Sequence, residues 1–300
     1  MSDADIDLPA DAVSPTPPLA PPPASSKTAK PATDWWAELR GIFWLILAVL
    51  GFHSLVAKPF YIPSPSMMPV LIKGDRLVVS KFPYGWSYVS PTFHVLPFIK
   101  GRLFGSVPER GDIVIVKPSN QTEDYIKRVI GLPGDRLELR NGTVILNGVP
   151  VKRDPVRLEL LPVDPNVPCD PAEWPGMQTT GADGKQYCEL PIVRETLPNG
   201  RSYDTIELGW RPSDDVPAQT IPAGHVFLMG DNRDMSADSR VPIEQRGLGG
   251  PLPIENIGGR AEFITFSLDG TSELWNPLSW FTAFRSGRAG TGLHPDETAK

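Results

Sequence analysis

The sequence predicts a mainly β protein in which antiparallel sheets, with a smaller β insert, follow a single transmembrane helix. Short runs of β-branched residues separated by Gly and Pro fill the chain from residue 58 onward, which is typical of strands and turns. One long apolar segment, residues 35–57, precedes them. A proline-rich, weakly periodic stretch at 152–222 divides the strand-like runs into two groups. With 300 residues, 40% of them hydrophobic, the chain can bury a core of this size.

Charge and cysteine usage exclude several classes of protein. The net charge is −6, and no Lys/Arg-rich stripe is interleaved with aromatic residues, so a nucleic-acid partner is not expected. The spacing of Cys169 and Cys188 matches no zinc motif, and we expect neither a metal nor another cofactor. In an oxidising compartment the two cysteines can close a loop of about 20 residues. Two unpaired thiols fit the sequence equally well, since spacing alone does not fix geometry.

Residues 1–34 are predicted to form a disordered tail. They contain eight prolines and no aromatic residue. They therefore cannot bury enough apolar surface to offset the entropy that ordering would cost.

Residues 35–57 are predicted to form the transmembrane helix. As a helix this segment spans about 34 Å, which is enough for the hydrocarbon core of a bilayer. Pro59 is expected to end it, because the residue before a proline disfavours helical geometry. A cleavable signal peptide is a poorer interpretation, since its apolar core does not normally follow a long polar, proline-rich stretch. A buried core helix is the other alternative, and Lys/Arg counts on the two sides do not set the orientation.

Residues 58–151 and 223–272 are predicted to form the principal β domain. Asn141-Gly142 lies between two alternating runs and favours the two-residue type I′ turn of a β-hairpin. Residues 152–222 are interpreted as an insert or second β lobe. Residues 273–300 contain an aromatic run beside basic residues, which fits either a membrane interface or an ordinary core.

Ser64 and Ser66 are candidate catalytic residues. Pro63 and Pro65 keep the backbone extended, so the two hydroxyls should project to the same side, although a serine in such a segment is more often a turn residue. None of the histidines is well placed to act as a base, and no Gly-x-Ser-x-Gly motif is present. Lys127 can replace histidine if burial lowers its pKa from about 10.4 toward neutrality. On a solvated face of a sheet it would remain charged.

Four motifs occur in order behind the apolar segment. They are the run IPSPSMMP at 62–69, Gly74-Asp75 with Lys81-Phe82 and Tyr84-Gly85, the run YIKR with GLPGD at 125–135, and the run GDNRD with Ser236, Asp238, Ser239 and Arg240 at 230–240. Together they resemble the sequence boxes of bacterial type I signal peptidases, which are membrane-anchored serine proteases with a Ser-Lys dyad. The resemblance implies a membrane-anchored catalytic domain of antiparallel β-sheets.

The resemblance implies a role for each matching residue. Ser66 attacks the scissile carbonyl, and neutral Lys127 accepts its proton and later serves the leaving amine. Ser236 is similar to the residue that hydrogen-bonds and orients the lysine, while the Ser64 hydroxyl and the Ser66 N–H resemble the oxyanion hole. A structural role is implied for the charged residues Arg128, Asp231, Asp238 and Arg240. Shallow apolar substrate pockets are implied for Phe60, Ile62, Met67, Leu71, Ile115, Tyr125 and Ile126.

Two features depart from the family pattern. Pro65 stands between the serines where the family often has a small residue, which removes one N–H but not that of Ser66. Met235 stands where the family usually has Asn, and the run at 242–253 also diverges. These departures concern the shape of loops more than the chemistry.

The resemblance also implies substrates and location. The substrates are expected to be preproteins with signal peptides, cut after small residues at −1 and −3. The chain is expected to cross the bacterial inner (cytoplasmic) membrane once, with its N-terminus cytoplasmic and its catalytic domain periplasmic, close to the secretion machinery. Aromatic stretches at 82–88 and 275–284 are expected to rest on the phospholipid bilayer.

Two interpretations other than a general signal peptidase start from the same motifs. A specialised peptidase for pilins or conjugation would share the fold and the site and differ only in its client. A membrane-anchored envelope scaffold with a dead site belongs to a different class of protein. The intact set of Ser66, Lys127 and Ser236 argues against the scaffold.

Overall fold

The computed structural model describes residues 34–91, 101–119 and 121–297. The tail predicted for residues 1–34 lies outside the described residues, apart from Asp34. The α-helices are α1 (Trp35–Leu55) and α2 (Pro277–Thr282). The strands, in chain order, are β1 (Ala57–Tyr61), β2 (Asp75–Ser80), β3 (Ile113–Val116), β4 (Tyr125–Gly131), β5 (Arg136–Arg140), β6 (Thr143–Leu146), β7 (Val149–Pro150), β8 (Lys152–Arg153), β9 (Arg157–Pro162), β10 (Gln178–Thr180), β11 (Gln186–Thr196), β12 (Arg201–Ile206), β13 (Val216–Thr220), β14 (His225–Met229), β15 (Leu252–Pro253), β16 (Ile257–Ser267) and β17 (Asp296–Glu297).

Helix α1 is long and apolar enough to cross a bilayer, and none of its residues is buried. Asp34 caps it, because its carboxylate accepts the backbone N–H groups of the first turn at 3.1 and 3.3 Å. The helix ends at Leu55, two residues before the predicted end. The reason is that Ala57 already pairs with Ser80 as the start of β1, so Pro59 lies inside an edge strand, where proline is tolerated.

The largest sheet among the described residues has seven antiparallel strands in the order β1-β2-β16-β3-β4-β14-β15. The sheet curls, so Ile62, just after β1, packs in the same buried cluster as Ile126 of β4. This cluster also contains Met67, Leu71 and Ile115. The segment that follows β1 is therefore brought against β4, and a site can be assembled between them.

A second, smaller sheet has the order β13-β5-β6-β7. Its β5–β6 hairpin turns at Asn141 and Gly142, whose φ angles are 47° and 75°, as the Asn-Gly pair predicts. β13 belongs to this sheet although the sequence placed residues up to 222 in the insert. It joins because Val216 and Ile221 pack against the buried Leu139 cluster.

The insert forms a third sheet in which β8, β9, β10 and β12 all pair with β11. Cys169 and Cys188, which the sequence left open, form a disulfide within it. The disulfide is buried in an apolar cluster with Met68 and Ile72, which come from the segment after the two serines. The insert is thus packed directly against the region of the candidate site.

The segment predicted as an aromatic, membrane-interfacial tail, 273–300, has two different parts within the described residues. Around α2 its side chains are exposed, with Trp275 at 90% and Leu278 at 77%. Further along, Leu293 is buried in the cluster with Ile62, and Arg288 holds Asp75 with contacts of 2.9 and 2.5 Å. The exposed aromatic side chains of this segment therefore lie around α2, where contact with a membrane interface stays a prediction, because apolar packing and an ion pair draw the second part into the core.

Candidate active site

The candidate nucleophile lies on a short turn that leaves β1. Pro65–Met67 forms one turn of 3₁₀ helix, and the preceding Ser64 is extended, with φ −133° and ψ 159°. Ile62, before this turn, and Met67, at its end, are buried and fix it to the core. The hydroxyl oxygens of Ser64 and Ser66 lie 3.3 Å apart, on the same side as their spacing predicts.

Lys127 reaches this turn from the neighbouring β4. Its Nζ lies 3.1 Å from Ser66 Oγ and donates to the Ile126 carbonyl oxygen at 2.9 Å. The Tyr125 ring, on the same strand face, lies 5.4 Å from the amine. Burial lowers the pKa of Lys127 from 10.5 to about 8, since a charged amine loses its hydration there. A neutral amine within hydrogen-bond distance of a serine hydroxyl can act as a general base.

A buried ion pair holds β4 from the other face. Arg128 makes two contacts of 2.7 Å with the Asp231 carboxylate, and a third bond of 2.7 Å with the Gly111 carbonyl oxygen. Side chains alternate along the strand, so Arg128 points away from Lys127. The pair therefore acts as support for the strand that carries the lysine.

The loop after β14 is held beside the nucleophile by a second charged group. Asp238 accepts the Gly230 N–H at 2.9 Å and is paired with the Arg240 guanidinium, also at 2.9 Å. The Asn232 N–H donates to the Ser66 carbonyl oxygen at 3.1 Å. These bonds join the loop to the turn that carries the two serines.

Gly230 makes this close approach possible. A Cβ at this position would lie 2.2 Å from Ser236 Oγ and 2.5 Å from the Ser66 carbonyl oxygen. Because neither neighbour is the flexible end of a long side chain, only glycine fits there without a backbone shift.

Comparison with known proteins identifies the family. The family model described as signal peptidase, peptidase S26 matches residues 35–266, which is more than half of the chain. This chain belongs to the peptidase S26 family of signal peptidases. It is accordingly a serine endopeptidase, and the S26 match extends over both α1 and the catalytic sheets.

Individual relatives agree with membership of the S26 family. Signal peptidase I of Rickettsia typhi is 35% identical over 241 residues, covering 77% of this chain and 80% of its own length. Signal peptidase I of Rickettsia akari is 34% identical over 252 residues, covering 81% and 82% respectively. A solved signal peptidase I from Enterococcus faecalis V583 is 22% identical; the match covers 51% of this chain and 95% of the other, with a TM-score of 0.27.

Ser236 of this S26 chain lies in the site without the lysine hydrogen bond that the resemblance implied. Its Oγ is buried and has no hydrogen-bond partner among the described residues. The Lys127 amine bonds instead to Ser66 Oγ and the Ile126 carbonyl oxygen. Ser236 Oγ packs over Gly230, next to the Ser66 carbonyl oxygen.

The seven residues expected to line substrate pockets are brought together, but most are closed off from solvent. Ile62, Met67, Leu71, Ile115 and Ile126 are at most 7% exposed and belong to one packed cluster. Phe60 packs at the edge of that cluster and stays partly exposed, as does Tyr125. Phe60 and Tyr125 are thus the members of the set that offer the most surface to a substrate.

Sequence reasoning missed a buried group that ties the insert to the site. Arg233, next to Asn232, donates to the two carboxylate oxygens of Glu195 at 2.9 and 2.5 Å. Tyr203 donates to the same carboxylate at 2.9 Å. Arg233 stood inside the last motif, but Glu195 lies on β11, far away in sequence, and nothing in its neighbours indicated the contact.

Proposed function

We propose that this protein is a signal peptidase I that removes signal peptides from preproteins at the membrane surface, with Ser66 as nucleophile and Lys127 as general base. The observation that supports the proposal is the 3.1 Å contact between Lys127 Nζ and Ser66 Oγ in a buried site. The lowered pKa supports it too. A drop from 10.5 to about 8 raises the neutral fraction of the lysine at pH 7 roughly 300-fold.

Acylation begins when Ser66 Oγ attacks the scissile carbonyl carbon. Its proton passes to the lone pair of Lys127 Nζ, and the carbonyl oxygen becomes an oxyanion. The Ser66 N–H and the Ser64 hydroxyl donate hydrogen bonds to that oxyanion. Donors that are already in position stabilise the negative charge that develops in the transition state. The C–N bond then breaks, the amine leaves with the proton from Lys127, and the signal peptide remains as an ester on Ser66.

Deacylation uses the same groups, with water as the attacking nucleophile and Ser66 as the leaving group. Lys127 is neutral again after the amine departs, so it can take a proton from water as the water attacks the ester. The oxyanion is stabilised as before, and the proton returns to Ser66 Oγ when the ester bond breaks. The Arg128–Asp231 pair and the Asp238–Arg240 pair act as positioning residues, since they support the lysine strand and the adjacent loop.

Action at the membrane surface is supported by the short distance along the chain between anchor and site. β1 starts two residues after α1 ends, and Ser66 follows β1 by one short turn. The Trp86 indole N–H donates to the Leu55 carbonyl oxygen at 2.9 Å, and the exposed Phe104 ring lies 6.2 Å from the Trp86 ring; Phe82, four residues before Trp86, is exposed too. Aromatic side chains of this kind suit the headgroup region. We place the chain in the bacterial inner membrane, with residues before α1 cytoplasmic and the catalytic sheets periplasmic.

The proposed preference is for small residues at −1 and −3 of the preprotein. The apolar walls around Ser66 are densely packed, and overpacking such walls costs about 1–3 kcal/mol. A change from Ala to Phe at −1 is therefore expected to slow cleavage at least about 10-fold. Equal cleavage of Ala, Phe, Lys and Asp variants at −1 would contradict this substrate class.

The deciding experiment incubates the detergent-solubilised full chain with a preprotein and maps the new N-terminus by mass spectrometry. Ser66→Ala and Lys127→Ala should each abolish nearly all cleavage, and the double variant should be scarcely worse, because the pair acts as a unit. Lys127→Arg should fail as well, since a guanidinium does not accept a proton at neutral pH. Near-normal turnover by Lys127→Arg would refute the general-base role.

A further inference from the structure

A cavity of about 300 Å³ opens beside Ser64, and none of its lining residues belongs to the apolar cluster that contains Met67. Two parts of the chain form its walls, the segment of the two serines and one loop of the insert. The described residues that line it are Pro63, Ser64, Pro65, Met68, Lys73, Asn166, Val167, Pro168, Cys169, Asp170, Glu173 and Trp174. No residue of β4 is among them, and none of the seven apolar residues assigned to the −1 and −3 pockets.

The insert wall of this cavity is fixed in place before any ligand arrives. The Cys169–Cys188 disulfide and the buried Trp174 anchor its base. Asn166 is held through both its side chain and its backbone. Its side-chain amide donates to the Leu268 carbonyl oxygen at 2.8 Å, and its backbone N–H donates to the Asp269 carbonyl oxygen at 3.0 Å. A preformed concave site of a few hundred Å³ is typical of ligand pockets in proteins.

An ion pair holds the start of the same insert loop. Arg285 makes two contacts of 2.8 Å with the Asp164 carboxylate and a third, also of 2.8 Å, with the Lys73 carbonyl oxygen. It therefore links the insert loop to the segment after the nucleophile. The two walls cannot separate without breaking this pair.

The cavity is separated from the Ser66 hydroxyl by only the Ser64 side chain. Ser64 forms part of its wall, and Ser64 Oγ lies 3.3 Å from Ser66 Oγ. An extended substrate advances about 3.3 Å per residue. Within one or two residues of the scissile bond, the residues before it and the residues after it therefore lie on opposite sides of Ser66. The residues before the scissile bond are assigned to the side of Phe60 and Tyr125. The cavity beside Ser64 is then left for the residues after it.

We propose that this cavity is a subsite for the first residues of the mature protein, at +1 to +3. The inference rests on the proposed function, because it takes Ser66 as the nucleophile. The base of the cavity is apolar, with Met68, Val167 and Trp174, and can receive an aliphatic stem. The charged side chains of the lining are two exposed carboxylates, Asp170 and Glu173, and one lysine, Lys73. The subsite therefore favours a neutral or basic side chain over an acidic one.

Photo-crosslinking tests where the substrate lies. The full-length Ser66→Ala variant is incubated with preproteins that carry a benzoylphenylalanine at +2, −2 or −3, and the labelled peptides are mapped by mass spectrometry. The +2 probe should label residues 166–174, and the −3 probe should label β1 or β4. Labelling of 166–174 from −2 or −3, or its absence from the +2 adducts, would overturn the assignment.

Kinetics with charged substrates test the chemistry of the rim. Wild-type enzyme should cleave a peptide with Lys at +2 about 2- to 5-fold faster, as kcat/KM, than one with Glu, which is the range for exposed charge pairs. The double variant Asp170→Asn/Glu173→Gln should bring that ratio close to one. Glu159→Gln, which removes an exposed carboxylate elsewhere on the insert, is the matched control and should keep the wild-type ratio.

The outcomes separate the two proposals. If wild-type enzyme cleaves none of these peptides after Ala-x-Ala, the proposed function itself fails. If it cleaves them all and the ratio of Lys to Glu is unaffected by the double variant, the function stands and the subsite is refuted.

Discussion

Replacing Lys127 by methionine should stabilise the protein at neutral pH and not at alkaline pH. Methionine keeps most of the volume and removes the charge. In the folded chain the pKa of Lys127 is lowered by burial from 10.5 to about 8. Below pH 8 the amine is therefore protonated in both states, and the folded state bears the full cost of burying the charge. Between pH 8 and 10.5 the unfolded chain holds a proton that the folded chain has lost, so wild-type stability rises with pH across that window.

The size of the effect follows from the same two values. The cost in the folded wild type is roughly 3 kcal/mol at pH 7 and under about 1 kcal/mol at pH 10. Methionine also loses the bonds to Ser66 Oγ and the Ile126 carbonyl oxygen, each worth about 1 kcal/mol. Those losses are the same at both pH values. The advantage of the variant should thus shrink by about 2.5 kcal/mol between pH 7 and pH 10.

The assay is thermal unfolding of wild type and Lys127→Met in one detergent at pH 7 and pH 10. A change of about 2.5 kcal/mol corresponds to about 5–10 °C in the difference between their Tm values. Lys152→Met, at a highly exposed lysine, is the control for the substitution itself. A Lys127→Met difference that changes with pH no more than the Lys152→Met difference would refute the prediction that a buried, costly charge lies beside Ser66.

Three further predictions concern the site. The kcat/KM of wild type should rise about tenfold per pH unit up to an apparent pKa of about 8 and then level off, with His225→Ala unchanged; a limb near pH 6 would exclude Lys127 as the base. Ser64→Ala should lower kcat by about 10²–10³ with little change in KM, and an unchanged kcat would remove Ser64 from the oxyanion hole. Arg128→Met should cost about 3–5 kcal/mol in urea unfolding by leaving Asp231 unpaired, and Arg128→Met/Asp231→Leu should recover most of it.

Local signals predicted the elements that depend on neighbours in sequence. Asn141-Gly142 identified the hairpin because the turn needs positive φ angles at those positions. The spacing of Ser64 and Ser66 predicted that the hydroxyls project to the same side. Period-two alternation placed Lys127 on the face of Tyr125 and away from Arg128.

Contacts between distant parts of the chain could not be read in this way. The disulfide was undecidable from spacing, since it depends on a Cα separation of 5.6 Å that only the folded insert provides. Glu195 gives no local sign that it will meet Arg233. The closed state of the pocket residues was missed for a related reason, because Met67 and Leu71 are covered by residues from several strands and by Leu293.

The position of Leu293 in the first apolar cluster has a consequence for the order of events during synthesis. Ile62 and Met67 are among the earliest residues of the β domain to be made, yet the cluster that seats Ser66 is complete only when Leu293 has been added. Arg288, which forms an ion pair with Asp75, is likewise synthesised long after its partner. In a growing chain the apolar support beneath Ser66 therefore stays incomplete until residues 288 to 293 have been synthesised and have packed against it.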